Sequence, residues 1–318
     1  MSATPPAALP LPPAVLPLLF ALRGIGQIVF QENALTGVLF LLGIALGSPL
    51  QALGLFVGAV LGTLTATMLQ WDKAQREAGI YGFNPALVGI ATLFFFQPSP
   101  VVWLLLLVGC VVATGVTYAM RTYLPFPTYT TPFIVTTWVL FAIGKAAGAE
   151  MVDHGAFVPL LAKPVNNFTL EAVANGVGQI MFQGSVWAGL LFLVGIGLSD
   201  WRHAAWVLAG SIVGMVVATY HLDVAERAMN PETLIVQNQF DNVQLGLYGY
   251  NATLVAVALY LWRRSLIAPV LGMILSVPLT EMIPRLGIPA LTAPFVLAAW
   301  IVIGLAAIEK SWNQGKTA

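Results

Sequence analysis

Gly24-Ile25-Gly26-Gln27-Ile28-Val29-Phe30-Gln31 is written a second time, nearly letter for letter, as Gly176-Val177-Gly178-Gln179-Ile180-Met181-Phe182-Gln183, 152 positions later. The match runs on through Gly37, Phe40, Gly43 and Ile44 against Gly189, Phe192, Gly195 and Ile196. Two further pairs follow in the same order. Gly79-Ile80-Tyr81-Gly82-Phe83-Asn84 returns as Gly246-Leu247-Tyr248-Gly249-Tyr250-Asn251 at an offset of 167, and Pro127-x-x-Thr130-x-Pro132-Phe133-x4-Trp138 returns as Pro289-x-x-Thr292-x-Pro294-Phe295-x4-Trp300 at an offset of 162. Three ordered pairs identify an internal duplication, and a duplication decides the architecture before any single residue is weighed. The jump from 152 to 167 predicts about fifteen extra residues in the second copy, in the polar stretch Asp223 to Leu245.

Composition says where such a chain lives. Of its 318 residues, 58% are hydrophobic and 8% charged, against about 25% charged in soluble domains. This is an all-α, polytopic membrane protein. The formal net charge of zero gives no basis for nucleic-acid binding. Three histidines and the single Cys110 exclude a disulfide framework and a Cys/His metal cage. No nucleophile–base pair or phosphate loop is visible, so neither an enzyme nor a cofactor is expected. The Ala- and Pro-rich start has no Lys or Arg before Arg23, which reads as a short disordered tail rather than a signal peptide.

A full span needs about 20 apolar residues. Leu11 to Arg23 and Phe168 to Asn175 are shorter, and each runs into the repeated glycines. They read as re-entrant half-helices halted at Gly24-x-Gly26 and Gly176-x-Gly178. Five segments follow each, at 33–47, 50–69, 80–96, 101–120 and 130–148, then 185–199, 203–221, 246–262, 266–283 and 290–308. Polar loops are expected at 71–78, 150–167 and 222–245. The organisation is a tail over 1–10, a first membrane repeat over 11–163, a second over 164–309 and a tail over 310–318. Five is odd, so the second half enters from the opposite side and the repeat is inverted. Nine Lys and Arg fall on the face holding both termini and four on the other, which puts the termini in the cytoplasm.

In inverted-repeat transporters the site lies where broken helices meet near the midplane. Helix ends carry carbonyls with no intrahelical partner, and two such rows suit a flat neutral solute rich in N–H donors, or a dehydrated cation. Gln27 and Gln179 follow the breaks and offer both donors and an acceptor; alternatively they only satisfy the broken ends. Phe30 and Phe182, with Phe83 and Tyr250, are candidate walls of a flat slot, or ordinary packing. Leu87 and Leu254 share a helix face with those aromatics and would be apolar lining or core. Thr130 and Thr292 stand two residues before Pro132 and Pro294, either as kink partners or as hydrogen-bonding groups at the centre. Ion-coupled transporters usually carry buried carboxylates or histidines. Here Glu32 and Glu281 are the only candidates, and His154, His203 and His221 have no matching partners in the repeat.

Leu22-Arg23-Gly24-Ile25-Gly26-Gln27-Ile28-Val29-Phe30, the pair Gly82-Phe83-Asn84 and Gly249-Tyr250-Asn251, and the paired Pro-x-x-Thr-x-Pro-Phe resemble the urea transporter family across both halves. The resemblance implies ten transmembrane helices plus two half-spanning ones. It implies a homotrimer whose protomers each hold a passive urea pore, in a bacterial inner membrane. Carried over by motif position, one filter site is lined by Gln27, Phe30, Phe83 and Leu87 and the other by Gln179, Phe182, Tyr250 and Leu254, with Thr130 and Thr292 at the constriction. Tyr250 in place of a second phenylalanine, and Ala252 in place of Pro85, set the two sites apart. The rivals are a channel for acetamide or formamide and an ion-coupled transporter.

Overall fold

The computed structural model describes residues 15–153, 170–228 and 242–315. The first half contains α1 (Leu16–Gln27), α2 (Ala34–Gly47), α3 (Pro49–Met68), the short α4 (Lys73–Glu77), α5 (Phe83–Phe95), α6 (Pro100–Tyr123) and α7 (Thr131–Ala146). The second contains α8 (Leu170–Gly178), α9 (Val186–Ser199), α10 (Trp201–Ala228), α11 (Gly249–Trp262), α12 (Ile267–Met282) and α13 (Ala293–Gly315). The described residues hold no strand beyond one isolated bridge, Phe96 to Met151.

Local chemistry explains the boundaries. Asn33 lies in extended backbone, and its side-chain oxygen accepts from Leu35 N and Thr36 N to start α2. Ser48 does the same for Gln51 N, and Pro49 begins α3 in the first turn, where its missing N–H costs nothing. Ser99 and Pro100 repeat that pair at α6. Pro132 and Pro294 also stand in the first turns of α7 and α13. They start helices rather than kink them, so Thr130 and Thr292 are not kink partners.

Five helices have the length and apolarity to cross a membrane alone: α3, α6, α12 with its terminal turn, α13, and α10 over Trp201–His221. A sixth candidate is α8 with the turn Gln179–Met181, taken together with α9, a pair bent by 73°. The apolar α2, α5, α7 and α11 are only 14, 13, 16 and 14 residues long, shorter than the expected spans and short of the ~20 residues of a full crossing.

Several expectations change. The helices end at the repeated glycines as expected, α8 at Gly178 and α1 one residue past Gly26, at Gln27. The glycines have a second purpose, close approach, that was not expected. A Cβ on Gly24 would lie 2.9 Å from Gly82 Cα, and one on Gly176 3.3 Å from Gly249 Cα. Gly79 (φ 80°) and Gly246 (φ 78°) turn the backbone back onto these crossings in the left-handed region that glycine enters freely. A Cβ on Gly37 would overlap the Leu22 carbonyl oxygen, and one on Gly189 that of Ala174. The expected loop at 71–78 holds α4. The expected loop at 222–245 is helical as far as Ala228, and α10 has 28 residues where α3 has 20. The rest of the predicted insertion, over 229–241, lies outside the described residues, as do the first residues of the chain, Leu11, His154, Lys163 and Phe168. The last helix continues to Gly315, past the boundary expected at 309.

The two halves touch through equivalent residues. Phe40 and Phe192 meet edge to face at 5.0 Å between ring centroids. Trp138 Nε1 donates to Pro289 O (2.9 Å), and Trp300 Nε1 donates to Pro127 O (2.8 Å).

Gly37→Ala is expected to cost about 1–3 kcal/mol, the scale of forced overpacking. Gly115→Ala, where a Cβ would meet nothing within 4 Å, should change stability by under about 0.5 kcal/mol. Thermal unfolding in detergent measures both, and equal losses would refute the close-approach reading.

Candidate functional site

Each half-helix is followed by an elbow built the same way. Val29 N and Gln31 N both donate to Gly26 O (3.1 Å each), and Phe30 N donates to Gln27 O (3.0 Å). In the second copy Gln183 N donates to Gly178 O (3.1 Å) and Phe182 N to Gln179 O (3.2 Å). Many of the carbonyls expected to be free are therefore already engaged by the elbow. At its apex Phe30 and Phe182 take left-handed backbone, φ 59° and 60°. For a residue with a Cβ this costs about 1–2 kcal/mol, and such strain concentrates at functional sites.

Gln27 and Gln179 take a third course, neither capping their own helix nor leaving the amide free. Gln27 Nε2 donates to Ala78 O (2.9 Å) and Gln179 Nε2 to Leu245 O (3.0 Å). Both acceptors directly precede the left-handed glycines, so each amide fixes a half-helix against the turn that delivers the next aromatic, Phe83 or Tyr250.

Gln179, Phe182, Tyr250 and Thr292 come together around one cavity of about 300 Å³. Its other walls include Phe94, Phe95 and Phe133. Phe182 packs against Phe94 and Phe95 at centroid distances of 4.7 and 6.1 Å. In the first copy Phe30 meets Tyr129 (6.1 Å) and Phe295 (6.2 Å) edge to face, while Phe83 makes no ring contact among the described residues. Leu87 and Leu254 are each fully buried in the core, and Leu254 is not part of the cavity wall.

Thr130 and Thr292 are buried, and their hydroxyl oxygens lie 2.7 Å apart, equivalent residue against equivalent residue. Each follows a left-handed residue, Tyr129 or Leu291, both at φ 47°. Here the copies differ: the Tyr250 hydroxyl donates to Leu291 O at 2.7 Å, whereas Phe83 has no hydroxyl to offer Tyr129 O.

Sequence reasoning missed four residues inside its own motifs. Asn84 Nδ2 donates to Thr117 Oγ1 (3.1 Å) while Asn84 Oδ1 accepts from Phe133 N (3.2 Å). Asn251 does the same with Thr280 Oγ1 and Phe295 N, 3.2 Å each. Each asparagine joins the helix bearing Phe83 or Tyr250 to the start of α7 or α13. Phe133 and Phe295 themselves cross over: each stands beside the aromatic site of the opposite half. Their duplication was the signal available; the crossing was not visible.

Chemically the arrangement is neutral. Amides, hydroxyls and carbonyls face aromatic and aliphatic walls, and no Asp, Glu, Lys or Arg is buried among the described residues. Glu32 is exposed. The Glu281 side chain is 21% exposed, 3.7 Å from His221 Nδ1. No group of His, Cys, Asp and Glu suited to a metal occurs among the described residues.

Comparison with known proteins agrees with this chemistry. The family model described as "Urea transporter" matches residues 18–307. Urea transporter 1 of Ovis aries and of Capra hircus are each 28% identical over 305 residues, covering 89% of this chain and 76% of the relative. Urea transporter 1 of Rattus norvegicus is 27% identical over 305 residues, covering 89% and 75%. With the family model matched over most of its length, this chain belongs to the urea transporter family.

Proposed function

We propose that this membrane protein, a transporter and not an enzyme, lets urea pass down its own gradient with no coupling ion. The observation that carries this reading is the absence of any buried Asp, Glu, Lys or Arg among the described residues, in a chain whose buried polar groups are amides, hydroxyls and one imidazole. Ion coupling needs a group that binds and releases charge at depth, and neither Glu32 nor Glu281 is buried inside the protein. Urea is planar, neutral, and supplies four N–H donors and one carbonyl. Aromatic and aliphatic walls strip its water at modest cost, while buried oxygens replace the lost hydrogen bonds. A charged solute would lose far more hydration than such walls return.

In this reading Gln27, Phe30, Phe83 and Leu87 form one filter site, and Gln179, Phe182, Tyr250 and Leu254 the other. Thr130 and Thr292 form the constriction between them. The hydroxyl pair supports a pseudo-two-fold axis at that point, since an axis brings equivalent residues into contact. The architecture is then two inverted repeats, over 11–163 and 164–309, of five crossings and a half-helix each. The short helices make up the central, thin part of the fold. The family resemblance further suggests a homotrimer in a bacterial inner membrane. The charge count supports cytoplasmic termini. Acetamide and formamide share urea's donor and acceptor pattern, and competition for flux ranks them.

In liposomes holding the purified protein and no ion gradient, urea flux should be fast, saturate only at high urea and persist with ionophores present. Flux that appears only with a proton or sodium gradient would overturn the passive reading. Thr130→Val or Thr292→Val leaves the other hydroxyl buried without its partner, and should lower flux about tenfold, the scale of one unsatisfied buried group, without loss of expression. Unchanged permeation would remove the threonines from the pathway. Tyr250→Phe should cost about 1 kcal/mol of stability in thermal unfolding, for one lost net hydrogen bond, with flux within about threefold. A far larger loss of flux would make the phenol oxygen itself a urea acceptor.

A further inference from the structure

Thr130 and Thr292 stand directly before α7 and α13, where a threonine ordinarily caps the helix with its hydroxyl, yet the two hydroxyls bond each other. The working caps differ. Asn33, Ser48 and Ser99 have extended backbone, and their side-chain oxygens accept from the first turn. Thr130 lies at φ −93° and ψ 13° and makes no side-chain cap.

The first turns show what replaces the cap. A helix start leaves backbone N–H groups without intrahelical partners, and at membrane depth each needs a partner inside the protein. In α7, Thr131 N donates to Thr128 O (3.0 Å), Pro132 has no N–H, and Ile134 N donates to Thr130 O (3.0 Å). That leaves Phe133 N, which donates to Asn84 Oδ1 (3.2 Å) on α5. In α13, Ala293 N donates to Ala290 O (3.1 Å), Pro294 has no N–H, and Val296 N donates to Thr292 O (3.2 Å). The third residue is again left over, and Phe295 N donates to Asn251 Oδ1 (3.2 Å) on α11. A cap residue's own side chain would serve that third N–H. In both copies an asparagine from another helix serves it.

The other end of each amide keeps it the right way round. Asn84 Nδ2 donates to Thr117 Oγ1 (3.1 Å), whose own hydrogen goes to Ala113 O (2.7 Å). Asn251 Nδ2 donates to Thr280 Oγ1 (3.2 Å), whose hydrogen goes to Ser276 O (2.8 Å). A hydroxyl has one hydrogen to give, so both can only accept from the amide. Turning the amide over would set oxygen against oxygen at one end and N–H against N–H at the other. Both asparagines are fully buried.

We propose that Asn84 and Asn251 are positioning residues for the threonine constriction. Each caps the helix that a threonine would otherwise cap, and so leaves that hydroxyl to the pathway. Without Asn84, the Phe133 N–H falls to the Thr130 hydroxyl, and serving it gives up Thr292. This rests on the passive-urea reading above, with the threonine pair in the pathway.

The test compares urea flux into proteoliposomes, with no ion gradient, for N84A, T130V and the double variant, beside thermal unfolding of each. N84A should lower flux about tenfold, as T130V does, the scale of one unsatisfied buried group. The double variant should stay within about twofold of T130V alone, because two changes acting through one group do not add. Its unfolding temperature should nevertheless fall below that of either single variant, since two different bonds are lost. A purely structural asparagine would not give that split. N84A flux at the wild-type level, or losses that multiply to about a hundredfold in the double variant as independent effects would, overturns the proposal. Should N84A fail to fold, N251A decides by the same comparison with T292V. A wild type without flux brings down the transport reading, and T130V flux at the wild-type level the constriction, and this proposal falls with either.

Discussion

Backbone N–H and C=O groups at membrane depth must find partners inside the protein, because lipid supplies none. The two elbows after α1 and α8 are where this chain meets that demand under most strain. Each reverses direction within a few residues through short bonds back to the end of its own helix. Each is then tied from outside by a glutamine amide from the half-helix and another from the elbow itself. The glycines follow from the same demand. The elbow holds only if the half-helix lies against its neighbours at backbone contact, and Gly24 with Gly82, like Gly176 with Gly249, leaves no room for a Cβ.

The cost of the elbows is returned as geometry. A phenylalanine in left-handed backbone points where a helical residue would not, and four non-glycine residues around the site share that conformation: Phe30, Tyr129, Phe182 and Leu291. They lie in two pairs, one from the half-helix elbow and one immediately before the paired threonines. Asn84 and Asn251 tie the helices that carry Phe83 and Tyr250 to the helices that follow the paired threonines, through buried side-chain bonds at both ends of the amide. In the proposed reading, the walls of the pathway are thus held by bonds within the protein, so little side-chain order remains to be lost when the solute arrives.

Much of this was legible in the sequence, and the failures have physical causes. The segment starts expected at 33, 50 and 101 fall within one residue of α2, α3 and α6, whose starts are fixed by the local caps Asn33, Ser48 and Ser99. The shortness of the first helix in each repeat was visible, and α1 and α8 have 12 and 9 residues. The glycines were read as stops, and the helices do end there; that they also let two backbones touch was hidden, because only the partner chain segment reveals it. For Thr130 and Thr292 two roles were left open, kink partner or central hydrogen-bonding group, and the prolines settle against the first because they stand in first turns, where proline is favoured. Gln27 and Gln179 were picked out correctly as members of the repeat, but their acceptors, Ala78 O and Leu245 O, lie more than fifty residues away. The crossing of Phe133 and Phe295 to opposite halves is a property of how two copies dock, and a duplicated motif carries no record of docking.

The duplication also makes the exceptions informative. Where both copies keep a residue, packing alone is a sufficient reason for it; where they differ at an otherwise matched contact, the environment is held nearly constant and the chemistry alone has changed. Tyr250 against Phe83 is such a case. The phenol takes up the Leu291 carbonyl with a 2.7 Å bond, and the first copy has no such donor. At this matched position the two copies differ by one hydroxyl. In the second copy that hydroxyl occupies the carbonyl of the residue just before Thr292; in the first, the equivalent Tyr129 carbonyl has no phenol beside it. The asymmetry is therefore in how the left-handed residue before each threonine is held, and it is set by a single oxygen atom.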